Sequence, residues 1–153
     1  MAKNFTVTFM VDKSPAQVFN VVTNVRGWWH GLFDEEIIGN TAELNEEFTF
    51  RAGGGVHYSK MKLIELVPDK KVVWLVTDSE LSFIEKKDEW VDTKVIFDIS
   101  RKGDQTQVTF THEGLSTDVE CYDRCSAAWQ MYLNQKFLPL IQSPKQELIK
   151  YNV

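Results

Sequence analysis

Asp12–His30 reads DKSPAQVFNVVTNVRGWWH, and the order of signals in this stretch decides the fold class. Just upstream, Phe5, Val7, Phe9 and Val11 alternate with Thr6, Thr8 and Met10, the period-2 pattern of a strand that buries one face. Ser14 then stands where a helix needs an N-cap. Pro15 suits the first helical position because its missing N–H would have no partner there, and Gln17 completes a capping box. A short helix over Ala16 to Thr23 is predicted, and the tryptophan pair Trp28–Trp29 follows it. Neighbours on a helix point about 100° apart. One of the two rings is therefore expected to face the interior and the other to pack elsewhere, as core or as the lining of a cavity.

The chain has 153 residues, 43% hydrophobic and 25% charged, enough for one domain (1–153) with a sizeable core. Its formal net charge is -5, and no basic run exceeds the pairs Lys70–Lys71 and Lys86–Lys87, which excludes a phosphate-tracking nucleic-acid surface. No apolar run has the ~18 residues of a membrane span. Met1 to Asn4 lead into a strand and not into a signal-peptide core, so the cytoplasm is the expected location. Cys121 and Cys125 are the only cysteines. Four apart in a helical pattern, they are expected as two buried small hydrophobes, neither a disulfide framework nor a metal site. Gly53–Gly54–Gly55 lacks the spacing of a phosphate loop, and no cofactor is implied.

After the tryptophan pair, Glu35 to Gly39 and Glu47 to Ala52 read as strands, and the glycine triplet as a turn. Val56 to Val67 reads as a long strand whose apolar parity changes between Met61–Leu63 and Ile64–Leu66, which predicts a bulge near Lys62 to Glu65. Lys71 to Thr77 is apolar on both faces and fits a central strand. Asp78 to Asp92 is irregular and acidic, a loop or short strand able to cover something apolar. Val95, Phe97 and Ile99, then Val108, Phe110 and His112, mark the last two strands. Thr117 and Glu120 repeat the capping-box spacing ahead of a long helix. On it Cys121, Tyr122, Cys125, Ala128, Trp129, Tyr132, Leu133 and Phe137 fill an arc of roughly 180°. Pro139 should end or kink that helix, leaving Ser143 to Val153 as a looser tail with some helical pattern.

Strands running between helices give an α+β class. The expected architecture is a helix-grip fold: a curved antiparallel sheet of six or seven strands wrapped around the long C-terminal helix, with two short helices after the first strand. A concave sheet and a straight helix leave a gap that large side chains either fill or line as a cavity.

Several motifs in this order are similar to those of a known group. SPAQVFNVVTNVRGWW, KLIELVPDKKVVWLV, VTFTHEGL and the Ala128–Trp129 pair resemble the START/Bet v 1-like (SRPBCC) superfamily, and within it the branch named for the activator of Hsp90 ATPase. The resemblance spans about Thr6 to Leu140. It implies binding of apolar ligands, a co-chaperone role, or cyclisation and proton-transfer chemistry in a pocket. Ala128 in place of a frequent Gly, the interrupting Pro139 and the acidic Glu85 to Asp92 segment depart from the group's pattern.

The leading expectation is a small or medium hydrophobic ligand held between sheet and helix by Trp29, Phe50, Met61, Trp74, Phe97, Phe110, Cys125, Trp129 and Leu133. His112, Tyr58 or Lys136 would orient its polar end. His112 is either a satisfied structural histidine or a hydrogen bonder at the pocket mouth. Lys136, in the middle of the apolar arc, either snorkels to water or meets an acidic head group. His30 and His57 read as surface or turn residues. Two alternatives remain: a chaperone-associated module with Trp90, Phe83 and the acidic loop exposed, or an enzyme using His112 with a carboxylate of Asp78 or Glu80.

Overall fold

In the computed structural model, which describes residues 4–143, the first strand β1 (Phe5–Val11) buries Phe5, Phe9 and Val11 and turns its threonines outward. Ser14 caps α1 (Pro15–Thr23) as the motif requires: Gln17 N–H donates to Ser14 Oγ at 3.2 Å, and Ser14 N–H donates to Gln17 Oε1 at 2.9 Å. A second helix, α2 (Val25–Trp28), follows. The strands β2 (Glu36–Gly39), β3 (Glu47–Ala52), β4 (His57–Val67), β5 (Lys71–Leu81), β6 (Lys94–Lys102) and β7 (Gln105–Glu113) complete a seven-stranded sheet in the order β1-β7-β6-β5-β4-β3-β2, antiparallel at every pairing. The last helix comprises α3 (Tyr122–Tyr132), a π-helical turn (Leu133–Phe137) and α4 (Leu138–Gln142). This is the expected α+β helix-grip architecture, with seven strands.

Local physics explains where this course departs from expectation. The register of β4 against β5 slips twice, leaving Ile64 of β4 and Thr77 of β5 without opposite residues. The first slip is the predicted bulge; the second lets β5 run on to Leu81, with Ser79 and Leu81 buried, through residues expected to be irregular. Gly53–Gly55 forms a short 3-10 turn with all three residues at positive φ (61°, 71° and 100°). Thr117–Glu120 does not begin the long helix, which starts at Tyr122. The carboxylate of Glu89 accepts the N–H of Glu120 (2.8 Å) and of Cys121 (2.9 Å), while Glu120 reaches the N–H of Glu85 at 3.0 Å. A reciprocal clamp between loop and helix replaces the local capping box.

Pro139 neither ends nor breaks the helix. Leu138 N–H bonds Leu133 O, five residues back, and this widened turn makes room for a ring that has no N–H and would otherwise crowd the preceding carbonyls. Residues 144–153, the expected looser tail, lie outside the described residues.

The middle of the interior is filled with aromatic rings. Trp28 meets Phe97 and Phe137 edge-on, with centroids at 5.6 and 5.5 Å, and donates its Nε1–H to Val22 O at 3.2 Å. Trp74 stands edge-on to Phe48 and Phe97, and Phe97 to Phe110. Trp28 and Trp29 are both buried, Trp28 in the core and Trp29 at the helix-loop corner, where its ring also lines a cavity. The helix stops at Trp28, so Trp29 sits at φ -95°, ψ 59°, and the two rings stack 13° from parallel.

Candidate functional site: an aromatic cavity at one end of the sheet

Among the described residues, the gap between sheet and helix is open at one end. There the close of β3, the glycine turn, the start of β4, the 82–92 loop and α3 enclose a cavity of about 370 Å³, within the range of small-molecule sites. Its wall is a run of stacked rings. Trp29 lies parallel to Phe50 at 3.8 Å and against Trp129 at 5.0 Å, and Trp129 stacks on Trp90 at 6.0 Å. Cys125, Ala128 and Tyr132, at helical spacings from Trp129, supply the helix side. Phe33 (42% exposed) and Val56 (47% exposed) stand at the mouth with Phe83 and Arg124, whose guanidinium lies 5.4 Å from the Phe83 ring centre.

Two histidines flank Trp90 edge-on, His57 at 4.7 Å and His112 at 4.6 Å. Trp129 Nε1–H, which can only donate, bonds His112 Nδ1 at 3.0 Å. The proton of the neutral ring therefore sits on Nε2 and is donated to Thr93 Oγ1 at 2.8 Å; Thr93 in turn donates to Trp90 O at 2.6 Å. Burial, reinforced by nearby His57, pushes the His112 pKa down to about 3. Satisfied at both nitrogens and fully buried, His112 is a positioning residue for two walls of the cavity and lies behind them.

His57 is the correction of most consequence. Expected at the surface, it lines the cavity, packs edge-on against Phe50 at 5.2 Å, and has Nε2 shut off from water with no partner. Burial lowers its pKa to about 4. Trp29 Nε1–H is likewise buried and unpartnered. At the mouth, Tyr132 O–H donates to Glu35 Oε2 at 2.5 Å, and Glu35 also accepts the N–H of Leu32 and Phe33. Burial opposes ionisation of Glu35, but these donors outweigh it and lower its pKa; burial and the adjacent carboxylate raise that of Tyr132. The phenol stays protonated and ties the Phe33 lip to the helix.

Of the residues expected at a ligand, Trp29, Phe50, Cys125 and Trp129 meet on this wall. Met61, Trp74, Phe97, Phe110 and Leu133 are packed into the filled core, and His112 stands behind the wall. Tyr58 lies on the outer face under Arg51, because the alternation that turns Ser59 and Met61 inward turns it outward. Lys136 is half-buried with its ammonium group beside Gly31, on the snorkelling course. Trp90 is buried, not exposed. Asp78 and Glu80 are exposed on a separate polar surface with Tyr58, so they do not converge with His112 around one cavity. Cys121 and Cys125, expected as separate small hydrophobes, are joined as a disulfide with Cα atoms 5.6 Å apart, and Trp90 Nε1–H lies 3.3 Å from Cys121 Sγ. Among the described residues no three His, Cys, Asp or Glu side chains are grouped to hold a metal, and no helix is long and apolar enough to cross a membrane.

Sequence reading put His57 at the surface and Trp90 and Phe83 on an exposed interaction surface, and it did not single out Phe33 or Arg124. For His57 the signal was present: it shares parity with Ser59 and Met61 along β4.

No curated protein sequence matches this chain. Among solved structures it is similar to the Aha1 dimer from Colwellia psychrerythraea, at TM-score 0.70 and 21% identity, covering 92% of this chain and 96% of that one. It is also similar to CV1439 from Chromobacterium violaceum, at TM-score 0.69 and 15% identity, covering 92% and 99%. CalU16 from Micromonospora echinospora matches at TM-score 0.60 and 18% identity, covering 99% and 83%. At these identities the likeness is one of fold. The family described as "Activator of Hsp90 ATPase homolog 1-like protein" matches residues 12–137, and the chain belongs to that family.

Proposed function

We propose that this protein binds a small or medium-sized apolar ligand in the cavity at the open end of the sheet. The observation that carries the reading is a ring-lined space of about 370 Å³ that the protein's own side chains leave unfilled, beside a core in which Trp28, Trp74, Phe97 and Phe110 pack ring against ring. Burial of apolar ligand surface supplies the affinity, and the unpartnered Trp29 Nε1–H and His57 Nε2 favour a ligand that carries at least one polar atom. The test is displacement of a fluorescent apolar probe, with native mass spectrometry of the protein as purified. Ala128→Phe, which places a ring in the cavity from the half-buried helix face, should abolish binding while leaving the circular dichroism spectrum unchanged. Binding unaffected by that plug would refute the assignment.

Membership of the family supports a second reading, a chaperone-associated interaction module. Its surface would be the exposed mouth residues Phe33 and Val56 with half-buried Phe83, now without Trp90. An Hsp90-type ATPase whose rate does not change on adding this protein would count against it.

A further inference from the structure

Among the described residues, one charged side chain touches the cavity. Arg124 is exposed on α3, and its guanidinium rests over the Phe83 ring at the mouth. Among the described residues it forms no ion pair: Asp123 beside it makes none, and the carboxylate of Glu120, just ahead of the helix, is held by the N–H of Glu85 and Lys86. The rest of the lining is aromatic or aliphatic apart from the neutral His57 and the Tyr132 hydroxyl, which is already spent on Glu35. A cation stacked on an aromatic face keeps its edge free to take an anion in a planar, two-pronged geometry.

We infer, resting on the ligand-binding reading above, that the ligand is an amphipathic monoanion: its apolar body lies among Trp29, Trp129 and Phe50, and its one negative group stays at the mouth on Arg124. The arrangement separates the two requirements. A charge carried inward would lose its hydration among rings with only two unpaired N–H or N groups to replace it. At the mouth the same charge keeps water on one side and gains the guanidinium on the other. The ligand class is therefore a carboxylate, sulfonate or comparable anion on a ring-sized apolar skeleton, and neither a neutral sterol-like body nor a cation.

The test uses two probes with one skeleton: 8-anilinonaphthalene-1-sulfonate, which is anionic, and N-phenyl-1-naphthylamine, which is neutral. Each is titrated against the intact protein and against Arg124→Gln, Arg124→Lys and Ala128→Phe. In Arg124→Gln the ratio of anionic to neutral affinity should fall about five-fold, the upper end for a solvent-exposed ion pair, with the neutral probe unchanged. Arg124→Lys, which keeps the charge but not the stacked two-pronged fork, should fall between wild type and Arg124→Gln, and 1 M salt should erase the difference between wild type and Arg124→Gln. An affinity ratio identical in wild type and Arg124→Gln would overturn the inference. If both probes bind wild type and both are lost in Ala128→Phe without any effect of Arg124, the cavity reading stands and the anion alone is refuted. If neither probe binds wild type, the cavity reading itself has failed.

Discussion

Lowering the pH from 7.5 to 5 should destabilise this protein by about 4 kcal/mol, because both histidines at Trp90 are held neutral by the fold. Their folded-state values, about 4 for His57 and about 3 for His112, lie well below the ordinary 6.5. A histidine whose folded pKa is depressed takes up its proton first in the unfolded chain. Stability is therefore intact above about 6.5 and is lost as pH falls from there toward the folded values. At pH 5 each unfolded-state histidine contributes RT ln(1 + 10^1.5), about 2 kcal/mol, while the folded-state terms are negligible. The two imidazoles, whose folded-state values lie farthest from the ordinary one, set the slope in this window. The assay is urea unfolding at half-unit pH steps, followed by tryptophan fluorescence and circular dichroism. His57→Phe should halve the loss to about 2 kcal/mol, leaving the His112 share. A free energy flat between pH 7.5 and 5, or an undiminished slope in His57→Phe, would show that the His57 ring is open to water and would refute the account of the wall.

Thr93→Val removes both bonds of the hydroxyl and leaves the His112 Nε2–H buried without an acceptor, which should cost about 1–3 kcal/mol in urea unfolding. Glu35→Gln should cost about 1 kcal/mol at neutral pH by weakening the charge-assisted bonds from Tyr132, Leu32 and Phe33. Because the carboxylate is lowered from 4.5 in the fold, its contribution is present above that value. The gap between variant and wild type should therefore close as pH falls through the folded-state value. Glu89→Ala should release the N–H groups of Glu120 and Cys121 and cost about 1 kcal/mol, read as faster amide exchange in residues 82–92.

What the sequence made legible was what neighbours in the chain determine. The Ser14–Gln17 box, the limits of β3 and the bulge after Leu63 follow from spacing of three residues or alternation of two, and each stands as read. The signals that failed were those whose partner is distant. Thr117–Glu120 has correct cap spacing, but the carboxylate of Glu120 is engaged by Glu85, 35 residues away. The tryptophan pair reads as a helix-loop corner and stands there, but which ring meets the cavity depends on where the helix stops, at Trp28. The aromatic load likewise gave no address: identical rings fill the centre around Phe97 and line a cavity around Trp129, and only the stacking decides which does which. His57 and Tyr58 show the opposite lapse, since strand parity alone was enough to exchange their places.

The glycine turn beside the cavity makes its entrance lopsided. With consecutive backbone angles in the left-handed region, and with a Cβ at Gly53 landing 2.7 Å from Val56 Cγ2, that jamb of the doorway is bare main chain that ordinary substitution cannot dress. Retuning of which guests are admitted falls instead to the side chains at the mouth, Val56, Phe33, Phe83 and Arg124, which can change size and sign without disturbing the frame.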